Sequence, residues 1–130
     1  MARVLALVPD LLFGSRLLGT LTAAGHNVDL VTDQGRLRER LADASAPGPA
    51  VLVLDLTDDD FEGAQLLESL AGTPGLEGVR TLGFFSHVDT RAPGRAARAG
   101  FDLAVPRSRM AREGGELVTR LAALPRAVPP

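Results

Sequence analysis

Four side chains stand where short apolar runs end. Val4-Leu5-Ala6-Leu7-Val8-Pro9 leads into Asp10, and Val51-Leu52-Val53-Leu54 leads into Asp55. Residues 81–85 are followed by Ser86, and residues 103–105 by Pro106 and Arg107. Two carboxylates converging in one cleft suit a hard divalent cation such as Mg²⁺, which prefers oxygen ligands. A hydroxyl suits a phosphoryl oxygen, and a guanidinium supplies positive charge beside it. An acid, a second acid, a hydroxyl and a cation form a constellation for handling phosphoryl groups, with an aspartate as nucleophile toward a phosphodonor. Plainer readings stand beside this one. Asp10 also suits a helix cap, Asp55 a strand-ending acid, and Ser86 an ordinary polar strand terminus.

The elements that would bring these residues together alternate along the chain. Uninterrupted apolar runs of this length read as strands buried on both faces, the pattern of a parallel sheet. Strands are expected over residues 3–8, 28–32, 50–54, 81–85 and 103–105. Between them lie helical patterns: Leu17, Leu18 and Leu21; Leu37 and Leu41 within residues 34–44; Leu66, Leu67 and Leu70; a weak fourth helix ending at Ala99-Gly100; and Leu117, Val118, Leu121 and Leu124. Pro93 and Gly94 count against the first half of the fourth helix. His26 follows Ala24-Gly25 and reads as a turn residue, and His87 as an exposed loop residue. Phe84 and Phe85 are expected to pack one on each face of the sheet. Residues 46–49, Ala-Pro-Gly-Pro, read as a rigid loop, and Asp58-Asp59-Asp60 as a solvated helix start. Five β-α units favour a doubly wound parallel sheet of order 2-1-3-4-5 with helices on both faces. That order sets the ends of strands one and three side by side, so Asp10 and Asp55 share the ligand crevice.

Composition removes several classes. The chain has 130 residues, 45% hydrophobic and 23% charged, enough for one packed domain. A net charge of −2 argues against nucleic acid or an anionic membrane as the main partner. The cluster Arg36-Leu37-Arg38-Glu39-Arg40 reads as a solvated helix face. There is no cysteine, hence no disulfide, thiolate metal site or cysteine nucleophile. No run is long enough for a membrane span, and Pro9, Asp10 and Arg16 interrupt the first apolar run too early for a signal peptide. A cytoplasmic location is the expectation. Glycine-rich phosphate loops, a nucleophile elbow and a zinc set are all missing.

The chain resembles, over nearly its whole length, the receiver domain of two-component response regulators. The best-matching stretch is Asp55-Leu56-Thr57-Asp58-Asp59-Asp60-Phe61-Glu62-Gly63, where receivers carry the phosphorylated aspartate and, eight residues on, a glycine opening the third helix. The resemblance implies Asp55 as phosphoacceptor, Asp10, Asp55 and the Thr57 carbonyl as Mg²⁺ ligands, and Ser86 as the hydroxyl on the phosphoryl group. Departures accompany it. Receivers end their first strand in two acids, whereas here the pair is Pro9-Asp10, with Asp58 or Asp59 as candidate replacements. The family's lysine before a proline is missing, since the chain has no lysine at all. A gapless count puts Arg107 and Ser108 at those two positions; alignment on Pro106 puts Val105 at the lysine instead. Ala104 falls where receivers carry a switch aromatic. Losing a carboxylate weakens Mg²⁺ binding, and arginine does not replace lysine equivalently.

The expectation is therefore an atypical receiver or a pseudo-receiver: a domain over residues 1–124 with a tail at 125–130 and no output domain fused after the fifth helix. It would signal by protein contact rather than by catalysis. Its partners would be a histidine kinase or a downstream effector, with a homodimer through the fourth helix, fifth strand and fifth helix. The alternative is a flavodoxin-like small-ligand binder or enzyme using the same cleft.

Overall fold

The computed structural model describes residues 2–43, 48–57 and 63–124. In chain order it comprises β1 (Arg3–Leu7), α1 (Leu11–Ala23), β2 (Asn27–Val31), α2 (Gln34–Ala42), β3 (Val51–Asp55), α3 (Gly63–Leu70), a 3-10 turn (Pro74–Leu76), β4 (Arg80–Phe85), α4 (Ala92–Ala99), β5 (Leu103–Pro106) and α5 (Arg107–Ala123). All neighbouring strands pair in parallel, in the order β2-β1-β3-β4-β5. This is the expected doubly wound sheet. Strand limits differ from the expected ones by a residue at most ends, as usual for element boundaries.

The sequence builds two cores because successive strand side chains point to opposite faces. Val4, Ala6, Val8, Val51, Val53, Leu82, Phe84 and Val105 face α1 and α5, and pack with Phe13, Leu17, Leu21, Met110, Leu117, Val118 and Leu121. Leu5, Leu7, Leu52 and Leu54 face the other way, against Leu37, Leu41, Leu66, Leu67, Leu70, Ala96 and Phe101. Both faces of β1 and β3 are thus covered, which is why their runs are apolar without alternation.

Three expectations need correction. Proline does not weaken the start of α4: the helix begins at Ala92, so Pro93 lies in its first turn, where a backbone N–H has no intrahelical partner to lose. The helix then stops at Gly100, whose φ of 99° is left-handed. Leu124 does not continue the inner face of α5; it caps a helix that ends at Ala123 and is half exposed. His26 is not a surface turn residue but a buried one, hydrogen-bonded to α5. The Asp58–Asp60 run, the tail 125–130, Ala44 and the first half of the 46–49 loop lie outside the described residues. The charged residues of the Arg36–Arg40 cluster are exposed as expected; Arg40 pairs with Asp29 at 2.8 Å and Arg38 donates to Ser69 at 2.9 Å.

Candidate functional site

The C-terminal edge of the sheet gathers the candidates. β1 and β3 are neighbours, with Leu7 opposite Leu54. Asp55 therefore closes the central strand beside the end of β1, and Asp10 follows that end after Pro9. Asp55 is 2% exposed. Its Oδ1 accepts the Thr57 N–H at 2.7 Å and the Thr57 hydroxyl at 2.5 Å. These two donors from one residue close an Asx-type turn directly after β3.

Asp10 is exposed and caps α1. Its Oδ1 accepts the N–H groups of Leu12 at 2.9 Å and Phe13 at 3.1 Å, filling two of the helix's orphan donors. Its Oδ2 accepts Nη2 of Arg107 at 3.0 Å. The Phe13 N–H foremost, and then the Arg107 guanidinium, hold the Asp10 carboxyl below the usual carboxylate range, with desolvation opposing them. Arg107 is the first residue of α5 and projects back across the sheet edge. Its guanidinium lies 4.2 Å from the centre of the Phe13 ring, inside the range for a cation–π contact. Phe13 in turn packs on Phe84 at 5.0 Å between centroids, tilted by 40°.

Ser86 follows β4, half buried, and its carbonyl accepts the Asp89 N–H at 2.9 Å in the turn toward α4. His87 and Val88 lie exposed in that turn. Val105, the other occupant considered for the lysine position, is 1% exposed within the α1/α5 core. Phe85 pairs with Pro106 in the sheet, so Arg107 follows at the level of Ser86. Ala104 is half buried against the second core. The cleft margin also carries two exposed leucines, Leu11 and Leu12, at 72% and 86%.

Asp10, Asp55, Ser86 and Arg107 thus share one edge of the sheet. Arg107 and Asp10 are joined directly, by their ion pair. Sequence reasoning missed Phe13 as a member of this group. A signal was present in the sequence: Phe13, Leu17 and Leu21 recur at four-residue intervals on the inner face of α1.

The Mg²⁺ expected from the resemblance meets a poor donor set. Among the described residues no three His, Cys, Asp or Glu side chains gather as a metal shell. Pro9 brings no oxygen ligand from its side chain. Three of the roughly four lone-pair positions of the Asp10 carboxylate are taken by Leu12, Phe13 and Arg107. On the Asp10 side the described residues do not fit the ion.

No protein-family model matches the sequence, and a search of curated proteins finds no match. Solved structures do match. A putative response regulator from Chloroflexus aurantiacus superposes with a TM-score of 0.80 at 18% identity, over 95% of this chain and 98% of that one. The signal receiver domain of the putative response regulator NarL from Mycobacterium tuberculosis gives 0.73 at 23% identity, over 93% and 95%. The chain has the receiver fold. NtrX from Brucella abortus, a structure in complex with ADP, gives 0.77 at 16% identity over 93% of this chain. The receiver fold described here spans only 26% of NtrX. No helix among the described residues is long and apolar enough to cross a membrane.

Proposed function

We propose that this chain is a receiver-like signalling module that works by protein contact and carries a degenerate phosphoacceptor site at Asp55. One observation carries the reading. In a sheet of receiver topology, Asp55 closes the central strand beside the Asp10 end of β1, with Ser86 at the end of the next strand. The phosphoacceptor geometry is thus retained in outline, whereas the chemistry that would serve it is reduced. Pro9 replaces an acid, Thr57 engages Asp55 Oδ1, and Arg107 spends its charge on Asp10.

The partner in this reading is a histidine kinase or a downstream effector, met in the cytoplasm. The face formed by α4, β5 and α5 is the contact surface for such a partner or for a second copy. Ala104 on β5 supplies no aromatic ring to rotate toward Ser86, so the surface is offered without phosphorylation.

The deciding experiment is intact-protein mass after incubation with acetyl phosphate and Mg²⁺, with Asp55→Ala as control. The expected result is an unmodified mass from folded protein. A single phosphoryl adduct that disappears in the control would overturn the degenerate-site reading and make Asp55 a working acceptor.

A further inference from the structure

We propose that the Arg107 guanidinium is the resident cation of the acid cleft, standing beside Asp10 where a divalent ion would need to bind. The inference rests on the reading that the strand-end cleft is the functional site, and it adds what counters the Asp10 charge there.

The position of the guanidinium is built from two sides. Pro106, with φ of −60°, forms the N-cap of α5 and starts the helix at Arg107. Nη2 then reaches Asp10 Oδ2 at 3.0 Å. The central carbon of the same group lies over the Phe13 ring, 4.2 Å from its centre. Phe13 serves both members of the pair, because its backbone N–H donates to Asp10 Oδ1 while its ring supports the guanidinium. Phe84 backs that ring from the core. A planar group that bonds a carboxylate at its edge and stacks on an aromatic at its face suits arginine and not lysine.

The chemical consequence concerns metal. An ion approaching Asp10 meets one vacant lone-pair position and a fixed positive charge next to it. Repulsion at this range is strong even at the dielectric of a protein surface. Arginine stays protonated at every accessible pH, so the cation cannot be titrated away. Asp10 is then paired permanently, and its state does not follow divalent-ion concentration.

The test is a Mn²⁺ titration read by the free-ion electron paramagnetic resonance signal, with the Mg²⁺ dependence of the thermal midpoint alongside. Wild type, Arg107→Gln, Arg107→Lys and the double variant Arg107→Gln/Asp10→Asn are compared, each checked for folding by circular dichroism. The wild type is expected to leave millimolar Mn²⁺ free. Arg107→Gln should bind it on the order of tenfold more tightly, as expected from removing one adjacent charge, and the double variant should lose the gain. Arg107→Lys should remain metal-free. Failure of Arg107→Gln to gain affinity overturns the proposal. So does Mn²⁺ binding by the wild type that Asp10→Asn abolishes, a result that requires no folded Arg107 variant. The metal readout is independent of the mass experiment. An Asp55 adduct in the wild type overturns the degenerate-acceptor reading, whereas Asp10-dependent metal binding by the wild type overturns the resident-cation assignment.

Discussion

Two polar ties join the opposite ends of α1 to α5, and they are built differently. At the start of α1, Asp10 meets Arg107 in an ion pair whose side chains are 46% and 40% exposed. Past its end, His26 is 6% exposed. Its Nδ1 accepts the Ala2 N–H at 3.2 Å. That places the ring proton on Nε2, which lies 3.0 Å from both the Gly115 carbonyl oxygen and Thr119 Oγ1. The Thr119 hydroxyl donates to the same carbonyl at 2.9 Å, so every donor and acceptor in the group is used. A wet ion pair adds little to stability and its members are replaceable at small cost. A dry, satisfied network is costly to break, because each group left behind is buried without a partner. The His26 tie therefore maintains the fold, and the Asp10 tie is the one available for function.

The largest expected effect comes from breaking the dry tie. His26→Ala strands the Ala2 N–H and opens a cavity, and urea unfolding should show a loss of about 3 kcal/mol. A loss no greater than that of Asp10→Ala would erase the contrast between the two ties. Asp10→Ala removes the N-cap of α1 together with the ion pair and should lower the thermal midpoint by a few degrees. Acid should reproduce that effect more weakly. The folded-state pKa of Asp10 is depressed, so its contribution is complete above the unfolded value, near 4, and disappears as pH falls through the depressed folded value. Acid unfolding of Asp10→Asn should accordingly be less steep below about pH 4 than that of the wild type. Arg107→Gln is the smallest perturbation, within about 2 °C of wild type without metal. A larger fall in the midpoint would show that the wet tie also carries structural weight.

The fold was readable because its strands are of an unusual kind. Buried parallel strands appear as unbroken apolar runs, and VLVL before Asp55 has no other comfortable place. The parallel order then followed from chain economy. What escaped reading depended on contacts distant in sequence. Arg107 and Asp10 are 97 residues apart, and His26 and Gly115 are 89 apart. Nothing near His26 announces a partner, and a histidine after Ala-Gly resembles any turn residue until α5 is laid against it. Pro93 misled for a local reason: a proline weakens a helix by position, and the first turn is the harmless one. Asp10 read equally well as a cap or a metal acid because both roles ask for a carboxylate before a helix; its bonds to Leu12, Phe13 and Arg107 describe the first.

Gly115 has a mechanical consequence. A Cβ at this position would fall 2.6 Å from the Ala24 Cβ, so α5 meets the end of α1 where no side chain has room. If α5 slid by one turn, it would bring a bulkier residue, Ala111 or Thr119, to that point. With Gly115 locked there and His26 fastened to its carbonyl, α1 and α5 behave as one rigid slab.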